Sequence, residues 1–278
     1  MAPRPDTVVL AVQRPGAPTA DMTDTLTPSA APQTSPRARS EILEIIRTTL
    51  AGLAIALVFR IVLFQPFTIP SSSMEPGLVV GDYIVVSKFA YGWSRASLPF
   101  NPPLPAGRLL GGAPKRGDVV VFRLPRDPGQ TWIKRVIGLP GDRIQVRGGQ
   151  VFVNDKPLPQ APMTLVRDHD DPDRPVLEVR ERQPDGRSYV TYDGGAGQAG
   201  DDTGVYVVPE GRYFMMGDNR DNSLDSRWPR ELGVGLLPAE NIVGEAELVL
   251  ASWKPGAAIY KPWTWLNLQW DRFVRPIR

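Results

Sequence analysis

The chain has 278 residues, of which 42% are hydrophobic, so it can bury a substantial core and is neither disordered nor fibrous. Its formal net charge is only +2, with both signs mixed along most of the chain, so the sequence offers no basic face for nucleic acid. It has no cysteine, which excludes disulfides, a thiol nucleophile and cysteine-ligated metals. The 30 prolines and 26 glycines favour short strands and turns, so we expect a mostly β protein.

The N-terminal part of the chain divides into a polar tail and one apolar segment. Residues 1–40 are rich in Pro, Ala, Thr and Ser without periodicity, which predicts a disordered tail. From Thr48 to Phe64 the chain is apolar except for Arg60, whose long side chain can reach lipid headgroups. We therefore predict a transmembrane helix within 41–65. A buried helix of a soluble domain is the alternative, whereas the polar residues before the segment disfavour a cleaved signal peptide.

The positive charges around this segment predict its orientation. Arg37, Arg39 and Arg47 precede it, whereas residues 65–84 contain no Lys or Arg. Because positive charges near a span favour the cytoplasmic side, we expect a cytoplasmic N-terminus and an extracytoplasmic domain over 66–278.

After the apolar segment, short runs of Val, Ile and aromatic residues alternate with Gly, Pro, Asp and Asn, a pattern typical of strands and turns. The predicted strands lie in the runs DYIVVSKF, GDVVVFRL, WIKRVIGLPGDRI, GGQVFVN, VLEVRE, SYVTY, GVYVVPEGRYFMMGDN and AELVLASW. No amphipathic helices separate them, so we predict antiparallel sheets. The more polar segment at about 155–202 is predicted to be an insertion with strands of its own.

The polar residues limit the chemistry that this domain can perform. The only histidine, His169, lies in the run RDHDDPD, which predicts a solvated loop rather than a member of a Ser-His-Asp triad. The run DNRDNS, from Asp218 to Ser223, fails the calcium-loop pattern because Arg220 stands at its third position. No glycine-rich phosphate loop follows a strand. We therefore expect no metal and no cofactor, and hydroxyl, carboxylate and amine groups remain for catalysis.

Three serines, Ser71 to Ser73, follow the apolar segment in the run IPSSSMEP. A serine hydroxyl needs a base to remove its proton, and with His169 set aside the base must be Lys, Asp or Glu. Two lysines lie within apolar strands, Lys88 in IVVSKF and Lys134 in WIKRVIG. A lysine in such a strand is more often an edge residue whose amine reaches solvent, and the strand periodicity does not choose between the two.

Four sequence blocks, in this order after a single span, resemble bacterial type I signal peptidase, the membrane-bound protease that removes signal peptides from exported proteins. The blocks are PSSSMEP, RGDVVVF, WIKRVIGLPGD and MGDNRDNSLDSR. The resemblance extends from about residue 42 to 252, outside the insertion. It implies the antiparallel β-sheet catalytic fold of that family, a serine endopeptidase with a Ser-Lys dyad, cleavage after small-x-small sites such as Ala-x-Ala, and no cofactor.

The resemblance also assigns roles to individual residues. Ser73 matches the nucleophile, Lys134 matches the general base, and Ser71 matches a hydroxyl that helps the Ser73 backbone N–H to hold the oxyanion. Ser223 matches the hydroxyl that orients the lysine. Three charged residues match polar groups that support the site: Asp218, Asp225 and Arg227. Five apolar residues fall where the family lines its substrate pockets: Phe67, Ile69, Leu78, Trp132 and Ile133.

Two features of these blocks leave alternatives open. Many members of the family have Gly where this chain has Ser72, which adds a third hydroxyl as a competing nucleophile and suggests an ordinary φ at this position. Asp225 and Arg227 could form an ion pair without a part in catalysis. The runs LPGD and GDNRDNS are also compatible with turns of any β protein.

Two other functions are compatible with the same residues. One is a self-cleaving repressor-type peptidase, whose family resembles this one in its Ser-Lys chemistry, but it would need a DNA-binding domain where the span lies. The other is a catalytically inert, membrane-anchored β protein.

The C-terminal segment is rich in tryptophan, with four of the seven between Trp253 and Trp270. Such clusters usually pack in a core, but indole rings also favour the headgroup zone, where Arg272, Arg275 and Arg278 could contact anionic lipid. The expected partners are signal peptides of exported preproteins and the lipid bilayer, with no nucleic acid, and we expect a monomer. The length of the insertion suggests a two-membrane bacterium, which places the enzyme in the inner membrane and the catalytic domain in the periplasm.

Overall fold

The computed structural model describes residues 36–98, 107–168, 171, 173–254, 256–257 and 261–277. Residues 1–35 of the predicted tail, and the predicted solvated loop at His169, lie outside the described residues. Residues 36–40, which were also predicted as tail, are helical.

One long helix, α1 (Pro36–Val62), contains the apolar segment. Within it, Ser40–Val62 is long and apolar enough to cross a membrane, and none of its most apolar part is buried by protein. The helix therefore does not fit the alternative of a buried helix in a soluble domain. It ends three residues before the predicted limit at 65, because Phe64 and Gln65 pair with residues 86–87 as a strand and the following proline disfavours a helical Gln65.

The described residues contain fifteen strands, and every strand pairing is antiparallel, which confirms the predicted fold class. In chain order the strands are β1 (Phe64–Thr68), β2 (Asp82–Ser87), β3 (Val119–Leu124), β4 (Asp127–Gly138), β5 (Arg143–Arg147), β6 (Gln150–Val153), β7 (Lys156–Pro157), β8 (Gln160–Arg167), β9 (Pro175–Arg182), β10 (Ser188–Asp193), β11 (Tyr206–Val207), β12 (Arg212–Met216), β13 (Leu237–Pro238), β14 (Ile242–Ser252) and β15 (Arg275–Pro276). Each of the eight predicted runs overlaps at least one of these strands. Strand β1 was not predicted, since Pro66 interrupts its pattern, and its place at a sheet edge is where proline is tolerated.

The strands form three sheets. The largest has the order β1-β2-β14-β3-β4-β12-β13, with β15 paired to β14, and a second sheet has the order β11-β5-β6-β7. The third, β10-β9-β8, is called the inserted sheet here and comprises strands within residues 160–193. It lies inside the predicted insertion at 155–202. Strand β7, however, pairs with β6, so the first residues of that predicted segment belong to the second sheet.

Strand β3 shows that the largest sheet is covered on both faces. Val119 and Val121 lie in one buried apolar cluster, whereas Val120 and Phe122 lie in another. Successive side chains of a strand point to opposite faces, so the alternation places one cluster on each side of the sheet. This burial explains the continuous apolar run VVVF.

Two side chains cap the last turn of α1. The Lys88 amine donates a hydrogen bond to the Ile61 carbonyl at 3.0 Å, and the Trp93 indole N–H donates to the Val62 carbonyl at 2.8 Å. The last carbonyls of a helix have no partners within the helix, and a cation at this end is favoured by the helix dipole. Lys88 is therefore buried for a structural reason.

Most of the C-terminal tryptophans are exposed. Trp263, Trp265 and Trp270 have exposed fractions of 75%, 51% and 70%, so packing in a core does not account for them. Trp253 is half-buried, with its ring centroid 4.7 Å from that of Tyr83.

The predicted availability of Arg272 to lipid is wrong. Arg272 is buried, and it donates hydrogen bonds to both carboxylate oxygens of Asp82 and to the Gly77 carbonyl. Arg275 is exposed, and Arg278 lies outside the described residues.

Candidate active site

The serine cluster lies near the start of the connection between strands β1 and β2, over residues 69–81. Ser71 is exposed in an extended conformation, and a 3-10 helix follows over Ser72–Met74. Met74 is only 1% exposed and packs in the core of the largest sheet. The half-buried Ser73 therefore lies beside a side chain that is fixed in the core.

Lys134 of β4 reaches this helix from across the sheet. Its Nζ lies 2.6 Å from Ser73 Oγ, donates to the Ile133 carbonyl at 3.0 Å, and is 5.6 Å from the centroid of the Trp132 ring. Lys134 is only 4% exposed. The fold thus joins a serine and a buried lysine that are 61 positions apart in the chain.

Burial changes the acidity of the lysine. It lowers the pKa of the Lys134 amine to about 8, although the negative charges of Asp225 and Asp218 act in the opposite direction. An amine with an ordinary pKa of about 10.4 is neutral in only about one molecule in 2,500 at pH 7, whereas a pKa of about 8 makes roughly one molecule in ten neutral. The arrangement can therefore supply a general base near neutral pH.

Geometry, not acidity, distinguishes the two candidate lysines. Burial, together with the positive charges of Arg123 and Arg60, also lowers the pKa of Lys88 to about 8. The Lys88 amine, however, binds the end of α1 and does not line the cavity beside Ser73. Lys134 is the lysine that contacts the serine.

An apolar cavity of about 400 Å³ opens beside Ser73 and Lys134. Four of the five predicted pocket residues line it, as does Ser71: Phe67, Ile69, Trp132 and Ile133. Further lining residues that the sequence did not predict are Thr68, Pro70, Ile84, Val121, Thr131, Asn222 and Leu224.

Leu78 was predicted to line this cavity, and it does not. It is 1% exposed, packs with Met74 in the core, and lines a separate cavity. The Leu78 backbone N–H donates to the Met74 carbonyl, so the turn after the 3-10 helix carries Leu78 inward.

Ser72 differs from its neighbours in accessibility. Its side chain is buried, its Oγ accepts a hydrogen bond from Asn222 Nδ2 at 3.0 Å, and it does not line the cavity. These contacts argue against Ser72 as a competing nucleophile. It lies in the 3-10 helix and has no positive φ, which confirms the expectation of an ordinary backbone conformation at this position.

Ser223 lies close to Ser73 but does not bind Lys134. Among the described residues, the buried Ser223 Oγ makes no hydrogen bond, so its predicted bond to the lysine is not formed. Gly217 lies between Ser223 and Ser73. A Cβ at Gly217 would be 2.3 Å from Ser223 Oγ and 2.4 Å from the Ser73 carbonyl oxygen, so only glycine fits there.

Asp218 is paired with an arginine that the sequence did not single out. Arg135, the residue after Lys134, donates through Nε and Nη2 to the two carboxylate oxygens of Asp218 at 2.7 and 2.6 Å. Both side chains are buried. An arginine within an apolar strand could have indicated this pair from the sequence. A buried guanidinium needs a carboxylate or carbonyl partner, so Arg135 had to have one.

Asp225 and Arg227 form a second buried ion pair, as the alternative interpretation of these residues expected. Burial alone would raise the pKa of the Asp225 carboxyl, but Arg227 and the hydrogen bonds that Asp225 accepts hold it below its usual range. One of these bonds comes from the Gly217 backbone N–H at 3.1 Å. The pair therefore also fixes the glycine that lies against Ser73.

Comparisons with known proteins identify the family of this chain. A family model described as "Signal peptidase, peptidase S26" matches residues 42–253. The signal peptidase I of Rickettsia typhi is 40% identical over 210 residues, which cover 73% of this chain and 77% of the relative. That of Rickettsia canadensis is 40% identical over 211 residues, with the same coverage. A crystal structure of a signal peptidase I from Enterococcus faecalis matches 48% of this chain and 97% of that chain, at 25% identity and a TM-score of 0.29. From the family match and the two Rickettsia relatives, the chain belongs to the signal peptidase family, peptidase S26.

Proposed function

We propose that Ser73 and Lys134 are the catalytic dyad of this enzyme. Family membership makes the chain a serine endopeptidase that cleaves signal peptides, and the apolar helix α1 indicates a membrane-anchored form. The observation that supports the dyad is the 2.6 Å contact between a buried lysine amine and a serine hydroxyl at the wall of an apolar cavity. Nucleophile and base within hydrogen-bond distance are what this chemistry requires.

The reaction then proceeds through an acyl-enzyme. The neutral Lys134 amine takes the proton of the Ser73 hydroxyl while Oγ attacks the carbonyl carbon of the scissile peptide bond. The Ser73 backbone N–H and the Ser71 hydroxyl stabilise the resulting oxyanion. The lysine ammonium returns its proton to the leaving amine, and the mature protein departs. Lys134 next takes a proton from water as the water oxygen attacks the ester carbonyl, and it returns that proton to Ser73 Oγ as the signal peptide leaves with a free carboxylate.

The remaining predicted site residues act on this dyad through other groups. Asp218 orients Arg135, which follows Lys134 in β4, and Asp225 with Arg227 fixes Gly217 against the Ser73 carbonyl. Ser223 lies on the far side of Gly217 from Ser73, and its buried hydroxyl makes no hydrogen bond to Lys134.

The two competing functions fit these observations less well. A self-cleaving repressor would need a DNA-binding domain ahead of the dyad, and the described residues there form the apolar helix α1. An inert β protein would have no reason to keep a buried amine against a serine hydroxyl, since burying an amine carries a free-energy cost.

For the cellular arrangement, we infer a single span with the N-terminus in the cytoplasm and the catalytic domain in the periplasm of a two-membrane bacterium, acting as a monomer. The arginines that precede the span and the absence of Lys and Arg from residues 65–84 support this orientation.

Substitutions at the two lysines and the serine test the dyad in one assay. In detergent, Ser73→Ala should abolish cleavage of a preprotein. Lys134→Arg should fold but lose activity by several orders of magnitude, because a guanidinium stays protonated at any working pH. Lys88→Arg is the matched control and should stay active. Cleavage by Ser73→Ala, near-normal activity of Lys134→Arg, or a folded but inactive Lys88→Arg would each contradict the assignment.

The pH dependence of kcat/KM should show the titration of the base. Only the neutral amine accepts the serine proton, so activity is lost as pH falls below the pKa of Lys134 and rises as pH increases through about 8. Because the pKa of Lys88 lies in the same range, the Lys88→Arg variant must keep this acid limb. An acid limb near 10 would contradict the lowered pKa of Lys134, and an acid limb that disappears in Lys88→Arg would show that Lys134 is not the titrating base.

Family membership and the apolar residues around the dyad support a prediction of the substrate's side chains. We expect small residues at the first and third positions before the cut, typically Ala-x-Ala, because a pocket that fits a methyl group rejects larger residues at a cost of about 1 to 3 kcal/mol or more. A series of peptides that varies each position in turn measures this, with the middle position as the internal control. Efficient cleavage after Phe or Leu would refute it.

The exposed C-terminal tryptophans predict contact with lipid. In vesicles that contain brominated acyl chains, the fluorescence of the full chain should be quenched, and replacing both Trp263 and Trp265 by Tyr should remove much of the quenching. Trp228→Tyr is the control, because Trp228 is half-buried and its indole N–H donates to the Ser223 carbonyl. Equal quenching in the double variant and the wild type would rule out this contact.

A further inference from the structure

The inserted sheet contacts the segment that surrounds the nucleophile. Residues 217–223 are called the active-site loop here. The Tyr192 backbone N–H donates a hydrogen bond to the Asp218 carbonyl of this loop at 2.9 Å. The Gly194 N–H, just beyond β10, donates to the Asp221 carboxylate at 2.7 Å. The inserted sheet is thus bonded to the active-site loop as well as to itself.

Glu181 of β9 is the strongest of these connections. It is fully buried, and its two carboxylate oxygens accept hydrogen bonds from Nη1 and Nη2 of Arg220, both at 2.5 Å. Gln160 and Tyr189 of the same sheet each donate one further bond, at 2.9 Å. Burial opposes ionisation of Glu181, but the Arg220 charge and the donated bonds hold the pKa of its carboxyl below the ordinary range. The carboxylate is therefore charged at working pH and has a full set of partners.

Arg220 connects Glu181 to the residues that bind Ser73. Its Nε donates to the Gly217 carbonyl at 3.2 Å, and its own carbonyl accepts a hydrogen bond from Arg227. The next residue back, Asn219, donates its backbone N–H to the Ser73 carbonyl at 3.2 Å. From Glu181 to Ser73 there is a continuous series of bonded groups, and Glu181 does not line the substrate cavity.

We infer that Glu181 of the inserted sheet is a positioning residue for signal-peptide cleavage, which acts through Arg220 and the active-site loop to hold Ser73 in line with Lys134. The inference rests on the proposed Ser73 and Lys134 dyad. It assigns a role to the segment between 155 and 202, whose strands contribute no residue to the substrate cavity. A displacement of about 1 Å at the reacting atoms can cost on the order of 100-fold in rate, so a remote residue can control catalysis in this way.

The test is a set of variants of the full chain, with kcat and KM measured well below each variant's melting temperature. Glu181→Gln leaves the Arg220 guanidinium buried without a counterion, and we expect kcat to fall about 10- to 100-fold with KM within about twofold. Hydrogen exchange of the amides of residues 217–223 should become faster in the same variant. Glu178→Gln, the same change on the same strand at a residue without a bond to the loop, is the matched control and should keep wild-type kcat.

A double variant separates positioning from general damage to the fold. Glu181→Gln combined with Arg220→Gln removes both buried charges and allows two amides to pair, so kcat should recover above that of either single variant. Should Glu181→Gln fail to fold, Glu181→Asp keeps the charge on a shorter side chain and should still show a lower kcat and faster loop exchange.

Three results overturn the inference: a folded Glu181→Gln with wild-type kcat, unchanged exchange in the active-site loop, or a double variant no better than the single ones. If Glu181→Gln does not fold, the inference is overturned when Glu181→Asp has the kcat of the wild type, or when its active-site loop exchanges at the wild-type rate. Ser73→Ala, measured beside them, tells the two proposals apart. If Ser73→Ala cleaves, the dyad is wrong; if it does not and the Glu181 variants behave as wild type, only the role of Glu181 is wrong.

Discussion

The buried amine of Lys134 against Ser73 Oγ is the contact on which the rest of this structure depends. A lysine can take a proton from serine only while uncharged, yet two buried carboxylates, Asp218 and Asp225, act on it in the charging direction. Each of these carboxylates is bound by its own guanidinium, Arg135 in one case and Arg227 in the other. The two carboxylates can therefore hold the backbone of the site while the arginines offset much of their negative charge. Desolvation of the amine then has the larger effect on the pKa of Lys134, and it lowers that pKa.

The same requirement explains why the 3-10 helix of Ser73 is held from several sides. Met74 anchors it in the core, Asn219 and Asn222 bind it from the active-site loop, and Lys134 contacts it from β4. These groups come from parts of the chain that are far apart in sequence. A nucleophile carried on one short turn would otherwise move with that turn, because a single turn of 3-10 helix has few bonds of its own.

Local patterns predicted much of the fold, and their failures have physical reasons. The run GDVVVFRL was predicted correctly as a strand because a strand that is buried on both faces has a continuous apolar sequence. Strand β1 was missed because Pro66 interrupts its pattern. Strand periodicity could not choose between Lys88 and Lys134, since both are buried and the difference lies in what the amine meets: a helix end in one case and a serine in the other. The partner of Asp218 and the inward turn of Leu78 were missed for a similar reason, because each is set by residues distant in sequence.

The buried pair of Arg272 and Asp82 has a consequence for the end of the chain. Arg272 also binds the Gly77 carbonyl, and Gly77 lies three residues after Met74. The segment that contains the exposed tryptophans is therefore bonded to the turn at Gly77, which follows Ser73 and Met74 in the chain. Loss of the Arg272 guanidinium would leave the buried Asp82 carboxylate without its counterion close to the turn that carries Ser73, so this arginine supports that turn although it does not line the substrate cavity.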